Sequence, residues 1–163
     1  MRSKEQILTL ISEIEEELKN IQVLEESISN LRSRITNVTE EDRRYLIESA
    51  ALEFHNFYLA CERIFEKIAV EINGGISSTP DWHSRLLNNM TLEIKEIRPS
   101  VITKDLARDL QEYLKFRHLV TSIYGFELDF ERMKPLIKNL PRVTNMFKKE
   151  IKHFLHFLKS ITS

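Results

Sequence analysis

Ile7, Ile11, Ile14, Leu18, Ile21, Leu24, Ile28, Leu31 and Ile35 recur at spacings of three and four, so the chain opens on one long helix with a narrow, seam-like apolar edge. Only the step from Ile21 to Leu24 breaks the alternation, which predicts slight overwinding or a break there. Asn37 and Val38 close this helix. Thr39, followed by Glu40, Glu41 and Asp42, predicts a capped, acidic start for a second helix running to about Asn73, with Leu46, Ala50, Phe54, Phe57, Cys61, Ile64, Ile68 and Ile72 on its apolar side. Gly74 and Gly75 stop it, Ser77 to Pro80 form a loop, and Trp82 to Met90 make a short helix.

Thr103 with Asp105 predicts the start of a fourth helix through Leu106, Leu110, Tyr113, Leu114, Val120 and Tyr124 to a stop at Gly125. A last segment carries Met133, Ile137, Leu140, Phe147, Ile151, Phe154, Leu158 and Ile161 on one side. Pro135 fits its first turn, whereas Pro141 should kink or split it by removing a donor and clashing one turn earlier. The pattern therefore predicts an all-α fold: an up-and-down antiparallel helical bundle of four long helices plus one short helix, with residues 1–163 as a single domain.

Composition narrows this picture. The chain has 163 residues, enough for one continuous core, and only 3 Gly and 4 Pro, too few for a fold rich in hairpins. Its single cysteine, Cys61, falls in an apolar stripe and reads as a small buried hydrophobe. No secretory leader and no apolar run of about 18 residues is present, so a cytoplasmic protein without a membrane partner is expected. Charge nearly cancels, 24 Lys and Arg against 25 Asp and Glu, but unevenly. Glu13, Glu15, Glu16 and Glu17 lie near the start; Lys134, Lys138, Arg142, Lys148, Lys149, Lys152 and Lys159 crowd the end. These are expected to be solvated faces paired across the bundle, with contact to a phosphate backbone as the other reading.

Few residues carry chemistry. The chain lacks a phosphate-cradling glycine loop, a Cys pair and a His-Glu-x-x-His spacing, so no cofactor and no metal is expected. His153 and His156 have only Glu150 nearby. His83, beside Trp82, is expected to pack or cap, and His55 to sit at an edge. The fourth helix is more informative. At about 100° per residue, Arg117 falls within the stripe of Leu106, Leu110, Tyr113, Val120 and Tyr124, where packing favours an apolar side chain. An unpaired buried guanidinium is costly, so Arg117 must meet a carboxylate such as Glu53 on the second helix, a partner chain or a phosphate. His118 and Ser122 form an i,i+4 pair on the adjoining flank, and Tyr124 is placed on the Arg117 face roughly 10 Å away.

The run Arg117 to Tyr124 resembles the signature of HepT-like proteins in the HEPN superfamily: an Arg, four residues, a His, one residue and a Tyr. Arg117 and Tyr124 match; Ser122 occupies the His position, and His118 stands one turn earlier. The blocks His55-Asn56-Phe57-Tyr58 and Glu62-Arg63-Ile64-Phe65, then Trp82-His83 and Leu86-Leu87, are similar to a HepT-like variant group, extending the likeness over roughly residues 40 to 130. The resemblance implies a homodimer acting as the toxin of a type II/VII-like toxin–antitoxin pair. It implies a metal-independent ribonuclease site with Arg117, His118 and Ser122 as its catalytic positions. It also implies a small nucleotidyltransferase antitoxin that attaches AMP to Tyr124. Because a serine hydroxyl cannot shuttle protons near neutral pH, two readings stand: His118 supplies the imidazole, or the chain is an inactive binding partner of the nucleotidyltransferase.

Overall fold

Ser3 accepts the backbone N–H of Gln6 while the Gln6 side chain accepts that of Ser3, a reciprocal cap from which α1 runs unbroken, Lys4–Ile35. Residues 2–163 of this computed structural model are described. The break allowed near Ile21 is absent: α1 is continuous, and Ile21 and Ile28 are both buried on either side of the irregular step. Thr39 caps the N–H of Asp42 and starts α2, Glu40–Ile68, which continues into one π-helical turn, Ala69–Asn73, before Gly74 in the left-handed region ends it. A cap of this kind contributes about 1 kcal/mol. The short helix α3 spans Trp82–Met90, as the pattern predicts. Helix α4 spans Lys104–Val120 behind a Thr103 cap, a 3-10 turn covers Gly125–Glu127, and α5 spans Phe130–Ser160.

Cross-helix polar contacts fix the directions. Lys148 meets Glu25 at 3.0 Å and Lys159 meets Glu15 at 3.3 Å, so α1 and α5 run antiparallel. Ser27 on Glu53 and Lys67 on Glu13 do the same for α1 and α2, and Tyr113 on the Leu136 carbonyl with Asp109 on Arg142 for α4 and α5. The result is an all-α antiparallel bundle with no strand among the described residues. All five helices contribute to one apolar core, with Phe54, Phe57, Tyr58, Phe65, Tyr113, Phe147 and Phe154 as its large fully buried side chains. Phe54 and Phe57 meet Tyr113 edge-on at 5.8 and 5.4 Å, locking α2 to α4. Cys61 is buried in this core, as expected, and burial pushes its thiol well up.

Two further elements differ from expectation. The split allowed at Pro141 is absent, and α5 continues through it. The Thr144 hydroxyl donates to the carbonyls of Leu140 and Pro141, and Leu140, Val143, Thr144 and Phe147 pack into the core on either side. Helix α4 stops at Val120 rather than running to Gly125. The cause is local: the Thr121 hydroxyl donates to the His118 carbonyl and the Ser122 hydroxyl to the Leu119 carbonyl, two adjacent side chains competing with the backbone for the last turn.

Candidate functional site

Glu62 sits on α2 four residues after Tyr58 and three before Phe65, both core residues, and is itself 2% exposed. A carboxylate so placed needs compensation. It receives two partners. One oxygen accepts from Arg117 Nη1 at 3.0 Å, and the other accepts from His83 Nδ1 at 2.7 Å. The carboxylate is thus the bridge that joins α2, α3 and α4. Arg117 also lies over the Tyr58 ring at 5.9 Å, a cation–π contact that supports the guanidinium from below. The expected partner Glu53 is taken by Ser27 of α1 instead, which leaves Glu62 as the carboxylate within reach of α4.

Around this bridge lie more titratable groups than the sequence reading gathered. His83 stacks on Trp82 at 3.7 Å and faces the His118 ring edge-on at 5.7 Å. His55 is half-buried, at an edge of the cluster; burial and the Arg117 charge lower its pKa, against an opposing pull from Glu62. Glu66, one turn beyond Glu62, has its pKa raised by burial and by the Glu62 charge, while His83, Arg117 and Arg63 lower it. Burial likewise raises the Tyr58 hydroxyl far above the ordinary range, so it stays protonated.

The expected site residues separate. Arg117 is brought into the cluster, and His118 lies at its exposed margin. Ser122 is not an i,i+4 partner of His118 on a helix: it lies past the end of α4 with its hydroxyl committed to the Leu119 carbonyl. Tyr124 does not continue the Arg117 face. Because α4 has already ended, Tyr124 is in extended backbone before the 3-10 turn, 69% exposed and stacked on Phe126 at 5.3 Å. Glu62 and His83 were missed as a pair. For Glu62 the signal was present, a charge inside the apolar stripe of α2, the same anomaly that singled out Arg117 on α4. His83 carried no such signal, since its partner is 21 residues away and only the packing of α3 on α2 brings them together.

Among the described residues no group of three or more His, Cys, Asp and Glu is spaced to hold a metal ion. The arrangement offers a cation with free donors and imidazoles beside it. Arginine has five N–H donors; Arg117 places one of them on protein, and its side chain is 16% exposed. A separate groove of about 920 Å³ runs between the α2–α3 loop, α3 and α4, where Arg85, Lys104 and Arg108 stand over mostly apolar walls; it shares no residue with the Arg117 cluster.

No curated protein and no solved structure matches the chain. The family model described as HepT-like protein matches residues 49–158, two thirds of the chain, a span holding Glu62, His83 and Arg117 alike. The chain belongs to the HepT-like protein family.

Proposed function

We propose that the chain is the toxin half of a toxin–antitoxin pair, working in the cytoplasm as a homodimeric, metal-independent ribonuclease built on a single domain. The observation that carries this reading is the state of Arg117, anchored by Glu62 through one donor, with its other donors unbonded by protein and its side chain partly exposed. RNA cleavage without a metal needs a base for the 2′-hydroxyl and positive charge for the phosphorane, and a guanidinium held in this way supplies the charge in a fixed direction. Imidazoles within the same cluster supply the proton chemistry. Exposed Tyr45 and Leu52 on α2 and exposed Tyr124 and Phe126 beside α4 give apolar surface for a second copy or for an antitoxin. No described helix is long and apolar enough to cross a membrane.

The partner on this reading is a small nucleotidyltransferase, and Tyr124 is the residue it modifies. The residue is 69% exposed, so its phenolic oxygen can attack the α-phosphorus of ATP, with pyrophosphate leaving and the phenolic proton passing to solvent. The second reading, an inactive partner of that enzyme, is favoured by Ser122, whose hydroxyl is committed to Leu119 at the position where the family motif has its His.

The test is incubation of the chain with RNA in excess chelator. Wild type should yield products ending in 2′,3′-cyclic phosphate, and Arg117→Ala should lose cleavage at least a hundredfold with an unchanged helical spectrum. Equal cleavage by both would reject the site. Intact RNA, together with stable binding of a nucleotidyltransferase and AMP on Tyr124, would favour the second reading. A light-scattering mass near 19.3 kDa at micromolar concentration would contradict the dimer.

A further inference from the structure

Three imidazoles stand near Arg117, and their surroundings differ. His118, the residue beside the motif Arg, is exposed, and among the described residues no side chain bonds its ring. His55 is half-buried, on α2 seven residues before Glu62, with no side-chain hydrogen bond of its own. His83 is fixed on two sides. Its Nδ1 is 2.7 Å from Glu62, and its ring plane rests on Trp82 at 3.7 Å with an angle of 30° between them. A carboxylate oxygen accepts, so Nδ1 carries the hydrogen; Nε2 is then the free nitrogen of the neutral ring and is not buried. The same carboxylate holds Arg117 through its other oxygen, so Glu62 sets the imidazole and the guanidinium in one fixed relation.

We propose that His83, and not His118, is the general base of the ribonuclease reading above, with Glu62 as the positioning residue for both His83 and Arg117. This inference rests on that reading. A carboxylate on Nδ1 selects the tautomer whose Nε2 accepts a proton, steadies the imidazolium that forms and prevents rotation of the ring. In the step, Nε2 takes the proton of the ribose 2′-hydroxyl, the 2′-oxygen forms a bond to phosphorus and the bond from phosphorus to the 5′-oxygen breaks. The proton taken by Nε2 passes through solvent water to the departing 5′-oxygen, and Arg117 balances the charge on the phosphorane. The products are a 2′,3′-cyclic phosphate and a 5′-hydroxyl. The imidazole that the family motif places on the helix of the Arg is in this chain delivered from α3, which accounts for Ser122 at the motif position without loss of a base.

The experiment compares His83→Asn, His83→Ala and His118→Asn with wild type in chelated buffer. Asparagine keeps an N–H donor for Glu62 but has no nitrogen that accepts a proton, so His83→Asn should fold as wild type and lose cleavage about a hundredfold or more. Added imidazole should restore part of the rate to His83→Ala, and none to Arg117→Ala. His118→Asn should lose far less than His83→Asn, because His118 packs on His83 without bonding Glu62. Full cleavage by folded His83→Asn, or a hundredfold loss confined to His118→Asn, would overturn the assignment while leaving the ribonuclease reading in place. Intact RNA with wild type would overturn both.

Discussion

Arg98 and Arg117, one buried and one partly exposed, differ in how completely the protein satisfies them. Arg98, 3% exposed in the segment between α3 and α4, donates from Nε to Asn73, from Nη1 to the carbonyls of Leu92 and Pro99, and from Nη2 to the carbonyl and side chain of Asn89. All five of its N–H groups are satisfied, without one carboxylate, and burial lowers its pKa. Asn73 in turn donates to Asn89, so the guanidinium pins the end of α2, the end of α3 and the bridge between Ile94 and Arg98 into one unit. Arg117 has the opposite balance: a carboxylate for charge, one hydrogen bond, and donors left over. A saturated guanidinium is a clamp. One held by its charge and left open is a site for another anion.

That contrast can be broken by mutation. Arg98→Ala should cost about 3 kcal/mol or more of folding stability, because it takes the donor away from the Asn73 side-chain oxygen and from the carbonyls of Leu92 and Pro99. A denaturant midpoint unchanged from wild type would remove the clamp from the account. Arg117→Ala should cost less, about 1–2 kcal/mol, since Glu62 keeps His83 as a partner and the site is partly open to water. If Arg117→Ala proved the more destabilising of the two, the guanidinium at Arg117 would be structural first.

The smallest expected effect is on pH dependence. His55 has a lowered pKa in the fold, so as pH falls below about 6.5 the unfolded chain takes up a proton first. Stability should therefore decline as pH falls through the interval between the ordinary histidine value and the lower folded value. His55→Gln should flatten that decline in chemical denaturation at stepped pH, and an unaltered slope would contradict the placement of His55 beside Arg117. Glu66 acts in the other sense: its raised pKa makes the fold lose stability as pH rises through the carboxylate range, a trend Glu66→Gln should remove.

The helices were legible because burial writes a periodic stripe into the sequence, and Ile7 to Ile35 and Phe54 to Ile68 carry it. Caps at Thr39 and Thr103 were equally legible, being local chemistry. The end of α4 was not. Val120 and Tyr124 continue the stripe, and the periodic signal outweighed the hydroxyls of Thr121 and Ser122, which in fact close the helix. At the site, Arg117 was legible as a charge in an apolar stripe. Its partner was misplaced from Glu62 to Glu53 because spacing along α2 does not say where α4 crosses it, and the bond of His83 to Glu62 depends on a third helix.

Whether the unbonded donors of Arg117 meet phosphate is read by binding, without cleavage. Titration of wild type and Arg117→Ala with a 2′-O-methylated single strand, which cannot be cut, across a series of salt concentrations reads affinity and its salt dependence together. The account predicts weaker binding by Arg117→Ala at every salt concentration, with the slope of log affinity against log salt reduced by about 0.7, one phosphate contact on a single strand. Equal affinity and equal slope for the two proteins would contradict it.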